Sequence, residues 1–178
     1  MNIPNQLTLM RILCVPVFIG FYLTGHFYIA TGIFIAASFT DMLDGQIARA
    51  KGIVTNFGKI MDPLADKILV ISAFVLLVQE KRVAGWMLIV ILSREFVVSG
   101  LRTVAASEGI VIAAGISGKI KTVLQMIAVP LLLLHNWPAS YVNIPLDMIM
   151  LWACVIMTVV SGCEYVLKNK EVFIKGGV

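Results

Sequence analysis

Hydrophobic residues run along this chain in long blocks separated by short polar punctuation. Residues 2–8 (NIPNQLT) are polar and turn-prone and residues 9–23 almost wholly apolar, which predicts a short interfacial lead-in and then a first helix. Thr24-Gly25-His26 marks a turn. A second apolar block occupies 27–40 and continues as helix through 41–49, until Lys51-Gly52 ends it. Residues 50–57 read as a short loop, and a third block runs from about 59 to 78. Pro63 is expected in the first turn of that helix, where its missing N–H has no intrahelical partner anyway. A fourth block covers 86–101, and the small, Gly-rich stretch 103–118 predicts a loop or an interrupted segment. Residues 119–134 and 145–167 form the fifth and sixth blocks, joined by a turn (HNWPASYVN) carrying interfacial Trp137 and Tyr141.

Crossing the hydrocarbon core takes ~20 residues of helix, so six such blocks fill the chain. Composition agrees. The 178 residues are 60% hydrophobic and only 13% charged, against about 25% in soluble domains. The expected fold is all-α and integral to the membrane: a six-transmembrane-helix bundle with a short N-terminal interfacial segment, residues 1–178 forming a single membrane-embedded domain. There is no internal repeat and no room for a second domain. Arg11 is alone and no small-residue cleavage site is clear before the next block, which argues against a cleavable signal. Cys14, Cys154 and Cys163 lie in apolar runs with no metal-ligand spacing and read as reduced, buried thiols.

The net charge of +4 would suit nucleic acid in a soluble protein, but here its distribution decides. If the helices alternate, Arg11, Arg49, Lys51, Lys59, Lys67, Arg94, Arg102, Lys119, Lys121, Lys168, Lys170 and Lys175 fall on or toward one side, and Lys81 and Arg82 at the other. That asymmetry places both termini, the 41–66 stretch and the Lys119 region in the cytoplasm, in a multi-pass protein of the plasma membrane. Nucleic acid is not an expected partner.

The stretch 41–66, DMLDGQIARAKGIVTNFGKIMDPLAD, holds four of the ten acidic residues. An Asp near a helix centre in a bilayer costs on the order of 2.5–3.5 kcal/mol on insertion scales, and neighbouring carboxylates repel unless a cation lies between them. On a helix, Asp41, Asp44 and Ala48 are spaced i, i+3, i+7 and share a face; Gly45 joins it and leaves room for a ligand to approach the backbone. Asp62 and Asp66 are i, i+4. Packed side by side, the two helices would direct four carboxylates into one cavity. All-oxygen ligation suits Mg²⁺ or Mn²⁺ and disfavours zinc, and two such ions suit phosphoryl transfer from a lipid pyrophosphate donor.

The pattern Asp41-x2-Asp44-Gly45-x2-Ala48-Arg49-x8-Gly58-x3-Asp62-x3-Asp66 resembles the signature of the CDP-alcohol phosphotransferase family without a departure. The opening NIPNQLT with Arg11, REFVVSGLR (94–102) and SGKIKT (117–122) are similar to the bacterial branch whose acceptor is glycerol 3-phosphate, so the resemblance covers most of the chain. It implies a six-helix membrane enzyme, usually a homodimer, that moves the phosphatidyl group of CDP-diacylglycerol to sn-glycerol 3-phosphate and releases CMP. By the same resemblance Asp41, Asp44, Asp62 and Asp66 bind two ions of Mg²⁺ or Mn²⁺, and Asp66 is the base for the acceptor hydroxyl. Asp41, Gly45, Arg49, Gly58 and Thr55 would bind CDP-diacylglycerol.

The acceptor phosphate needs its own cations. Arg102, Lys119, Lys121 and Arg94 are the candidates on the cytoplasmic side, with Glu95 expected as an internal ion-pair partner. His26 and His135 fall in the outer turns, Asp147 reads as a cap of the last helix, and Glu164 as the partner of a neighbouring base. Three rivals remain. The same chemistry could use inositol phosphate, serine or phosphatidylglycerol as acceptor. A cation transporter is disfavoured by the single cluster at the membrane edge and the lack of repeats. A non-catalytic lipid-binding protein would not need four carboxylates at these spacings.

Overall fold

A computed structural model describes the backbone of residues 3–51, 56–107, 112, 115–137 and 139–169, and side chains for 9–40, 64, 65, 67–106, 112, 115–137, 139–141 and 143–169. Among the described residues the fold is entirely helical: α1 (Ile3–Leu23), α2 (Phe27–Lys51), α3 (Asn56–Gln79), α4 (Gly85–Ser107), α5 (Ile116–Leu133) and α6 (Leu146–Lys168), with a 3₁₀ turn at Ala139–Val142.

The apolar blocks become helices, but several ends differ from expectation. The polar lead-in is helical from Ile3 and continuous with α1. α3 begins at Asn56, so Pro63 lies in its interior rather than its first turn. Pro16 and Pro130 likewise lie inside α1 and α5. An interior proline removes one backbone bond, a loss that helix neighbours absorb in membrane helices. α4 continues to Ser107 through Thr103, Val104, Ala105 and Ala106, a run without Gly or Pro to stop it. The rest of the expected 103–118 loop and the tail beyond Asn169 lie largely outside the described residues.

Among the described residues two helices, Ile116–Leu133 and Leu146–Lys168, are long and apolar enough to cross a bilayer, and shorter apolar segments occupy Leu9–Leu23, Phe27–Thr40 and Lys67–Gln79. α4, 23 residues long, carries Arg94, Glu95 and Arg102 within its apolar run. The large apolar side chains left exposed, such as Met10, Ile89 and Leu167, fit a lipid-facing surface.

The chain forms two compact units. The first holds residues 1–82 and 129–137. In it α1 packs on both α2 and α3. Arg11, Val15, Phe18 and Tyr22 make the buried stripe of α1, and Ala30, Phe34 and Ala37 that of α2, each stepping by three or four residues. Small residues (Ala30, Ala37, Ala65 and Ala73) let the helices approach closely, as packing between membrane helices favours, and Phe18 meets Phe34 at 6.1 Å between ring centroids. At the far ends of α1 and α3 the Tyr22 hydroxyl donates to Glu80 at 2.6 Å, with His135 Nε2 3.7 Å from the same carboxylate oxygen.

The second unit holds residues 83–128 and 138–178, and there α4 packs on α6. Asp147, in the first turn of α6, accepts a hydrogen bond from the Met148 N–H at 2.8 Å; the N-cap is Pro145, without a side-chain cap bond, so Asp147 is a first-turn acid rather than the cap expected of it. Trp86 and Trp152 pack with centroids 5.8 Å apart. Val98, Leu101 and Tyr165 form a small core with Ile112 and Val166 against it.

Candidate active site

Consider first the acidic signature. The backbone of α2 carries positions 41, 44, 45, 48 and 49, and that of α3 carries 58, 62 and 66. The i, i+3 and i, i+4 spacings are therefore true helical spacings, and the step 37, 41, 44, 48 continues the register of the buried α2 stripe. The side chains of Asp41, Asp44, Arg49, Asp62 and Asp66 lie outside the described residues, as does Thr55 altogether. Among the described residues no group of three or more His, Cys, Asp or Glu could hold a metal ion. The donor set of the signature is four carboxylates with no imidazole or thiolate, which fits a hard divalent cation.

Between α1 and α2 is a cavity of about 180 Å³ lined by Met10, Arg11, Cys14, Ala37 and Thr40 among others. Arg11 is only 3% exposed. It is a site candidate that reading the sequence did not single out, although its step of four to Val15 and seven to Phe18 puts it on the buried stripe.

The second feature lies in the other unit. A cavity of about 320 Å³ is lined by Arg94 and Arg102 of α4, Gly115, Ser117 and Gly118 around the start of α5, and Ser161, Glu164, Tyr165, Lys168 and Asn169 at the end of α6. Helical phase explains why a cation sits here. Ile91, Val98, Leu101 and Ala105 are buried on α4, and Arg94 falls three residues after Ile91 and four before Val98, on the stripe that meets α6. Its Nε donates to Ser161 Oγ at 3.2 Å, and its Nη1 lies 3.4 Å from Glu95 Oε1.

Arg102 Nε donates to the Tyr165 hydroxyl at 3.3 Å, and its guanidinium carbon stands 5.6 Å from the centre of that ring. Tyr165 thus anchors one edge of the guanidinium and leaves its remaining N–H donors for an anion. Lys168 and Glu164 pair at 2.5 Å, which cancels their charges, so the net positive charge at the wall comes from the two arginines.

The four expected acceptor cations thus separate. Arg94 and Arg102 line the cavity. Lys119 is exposed in the first turn of α5. Lys121 is 2% exposed and bonded to Glu95, and lies away from the cavity wall. Glu95 is an internal ion-pair partner, as expected, and Glu164 pairs with the base one turn on. Tyr165, Ser161 and Asn169 escaped the sequence reading. The signal was there in the four-residue steps from Ser161 to Tyr165 to Asn169, which put them on one face of α6.

Residues 1–160 match the CDP-alcohol phosphatidyltransferase family, and the chain belongs to that family. Among its relatives, the CDP-diacylglycerol–glycerol-3-phosphate 3-phosphatidyltransferase of Bacillus subtilis (strain 168) is 48% identical, the alignment covering 96% of each chain. The protein of the same name from Rickettsia felis is 36% identical over 97% of each chain. That from Haemophilus influenzae is 39% identical over 92% of this chain and 91% of its own.

Proposed function

We propose that this chain transfers the phosphatidyl group of CDP-diacylglycerol to sn-glycerol 3-phosphate, forming phosphatidylglycerophosphate and CMP in anionic phospholipid synthesis. The observation that carries the acceptor is the cavity lined by Arg94 and Arg102. Two guanidinium groups at the wall suit a phosphate monoester, which bears about −1.5 to −2 at neutral pH, better than an uncharged alcohol such as serine. The donor rests on the aspartate signature and on full-length similarity to relatives of that name.

In the reaction the acceptor hydroxyl attacks the β-phosphorus of CDP-diacylglycerol. A new P–O bond forms, the pyrophosphate P–O bond breaks, and its electron pair leaves on the CMP phosphate. Asp66 takes the hydroxyl proton, as a carboxylate placed near the nucleophile can. Arg49 offsets the charge that grows on the departing CMP phosphate, and Asp41, Gly45, Gly58 and Thr55 complete the donor site. Asp41, Asp44, Asp62 and Asp66 would hold two ions of Mg²⁺ or Mn²⁺, which would neutralise pyrophosphate charge. Arg94 and Arg102 bind the acceptor phosphate directly, and exposed Lys119 adds to the local field.

The same reading takes the chain as a homodimer of six-span protomers in the plasma membrane, with the site and both termini cytoplasmic. The test is CMP release by the detergent-purified protein from CDP-diacylglycerol with Mg²⁺, across glycerol 3-phosphate, inositol phosphate, serine and phosphatidylglycerol. Release driven by glycerol 3-phosphate is expected. Release with another acceptor instead would overturn the acceptor assignment and leave the aspartate chemistry standing.

A further inference from the structure

Three helices converge on the Arg94 side chain. On α5, a Cβ added to Gly118 would stand 3.1 Å from Arg94 Nη2; on α6, one added to Gly162 would stand 3.1 Å from Arg94 Cγ. Both glycines leave the space that the arginine fills. Ser161 Oγ accepts from Nε and itself donates to the Thr158 carbonyl at 3.2 Å, which turns its lone pairs toward the guanidinium. The side chain is 13% exposed, although it forms part of the cavity wall.

Behind this sleeve sits Glu95, whose Oε1 meets both Arg94 Nη1 and Lys121 Nζ. The phase of α5 explains the burial of Lys121: it precedes buried Gln125 by four residues and Ala128 by seven, on the stripe that faces inward. A lysine so buried is held charged by a hydrogen-bonded partner. Glu95 cannot serve both cations fully. A carboxylate shared by two cations leaves the trio with one net positive charge, and Lys121 makes the closer contact.

We propose that the buried Lys121–Glu95 pair is a positioning device that keeps Arg94 available to the acceptor phosphate. The proposal rests on the acceptor reading above and assigns Lys121 a role at one remove from the ligand. Without the lysine, Glu95 is freer to draw the Arg94 guanidinium into a paired, two-point contact, as arginine and carboxylate favour. The cavity then loses one of its two cations to the pair.

The experiment compares the full-length enzyme with Lys121→Met, Glu95→Gln and the double variant. Lys121→Met is expected to raise KM for glycerol 3-phosphate on the order of tenfold, the usual consequence of losing one charge-assisted contact. KM for CDP-diacylglycerol should stay at the wild-type value. Adding Glu95→Gln should restore the acceptor KM, because the carboxylate that captures Arg94 is gone. A double variant as impaired as Lys121→Met would overturn the proposal, since a lysine that touched phosphate directly could not be rescued this way. A wild-type KM in Lys121→Met would overturn it too.

If Lys121→Met alone fails to fold, the double variant carries the test. It removes both charges of the Lys121–Glu95 pair together, and neutral replacement of a buried pair is commonly tolerated. A wild-type acceptor KM in that variant supports the proposal and a tenfold rise overturns it. Inorganic phosphate, followed by protection against thermal unfolding in detergent, gives a readout that needs no turnover. Wild type protected by phosphate, Lys121→Met protected only at about tenfold higher concentration and the double variant restored would support the device even if glycerol 3-phosphate proved not to be the acceptor. Equal protection of wild type and Lys121→Met would sink it.

Discussion

Gly162→Ala separates helix stability from site geometry. The residue lies inside α6, where replacing glycine by alanine stabilises a helix by roughly 0.5–1 kcal/mol. The new methyl would stand 3.1 Å from Arg94 Cγ and 3.9 Å from Arg94 Cβ. Ordinary contact begins about 0.3 Å further out, so the arginine must yield. Cγ is the pivot for the rest of the side chain, and a shift there grows toward the guanidinium. The Arg94–Ser161 hydrogen bond, already 3.2 Å, has little length to spare before it fails.

Loss of that bond frees the cation to move and weakens its hold on phosphate by about 1.5 kcal/mol, roughly tenfold in kcat/KM for the acceptor. The assay is steady-state CMP release at varied glycerol 3-phosphate, with thermal unfolding in detergent measured on the same samples. The expected result is a protein as stable as wild type or more so, with acceptor kcat/KM down about tenfold and KM for CDP-diacylglycerol unchanged. Gly100→Ala is the control, since nothing lies within 4 Å of its would-be Cβ, and it should match wild type. An unaltered acceptor KM in Gly162→Ala, or an equal loss in Gly100→Ala, would refute the reasoning.

Asp66→Asn should reduce turnover by at least ~10²-fold, because general-base catalysis contributes about 10²–10⁴, while thermal stability is kept; substantial remaining activity would remove Asp66 from the base role. Chelation of divalent ions should stop CMP release and Mg²⁺ or Mn²⁺ should restore it, whereas activity that persists in chelator would contradict the carboxylate metal site. Arg102→Met should raise KM for glycerol 3-phosphate about tenfold or more with little change in KM for CDP-diacylglycerol. Tyr165→Phe should have a smaller effect of the same kind, since the ring beneath the guanidinium stays and only the hydroxyl acceptor is lost; measured KM values for both substrates decide each case.

Most of the helical plan was legible in the chain because an apolar block bounded by polar turns has few alternatives in a bilayer, where backbone groups must bond internally. The ends were harder. α4 continues to Ser107 because no residue from 103 to 107 breaks a helix, while the glycines that suggested a loop come later. Pro63 was expected to open α3, since only the cost of an interior proline was considered. The aspartate signature is a matter of spacing along single helices, and the backbone carries its positions on α2 and α3 as the spacing predicts.

The acceptor cations were not, because their roles depend on neighbours far along the chain. Sequence alone made Arg94, Arg102, Lys119 and Lys121 equivalent positive charges near the cytoplasmic ends of helices. Tertiary packing distinguished them: α4 and α6 meet along a stripe that includes Arg94, Gly162 leaves the gap its side chain occupies, and Glu95 takes Lys121 into the interior. Local spacing determined which helices form and where the carboxylates sit on them. Which charges remain uncancelled is a pairwise property in three dimensions. It is set by contacts such as Arg94 to Ser161, 67 positions apart, that no short stretch of sequence contains.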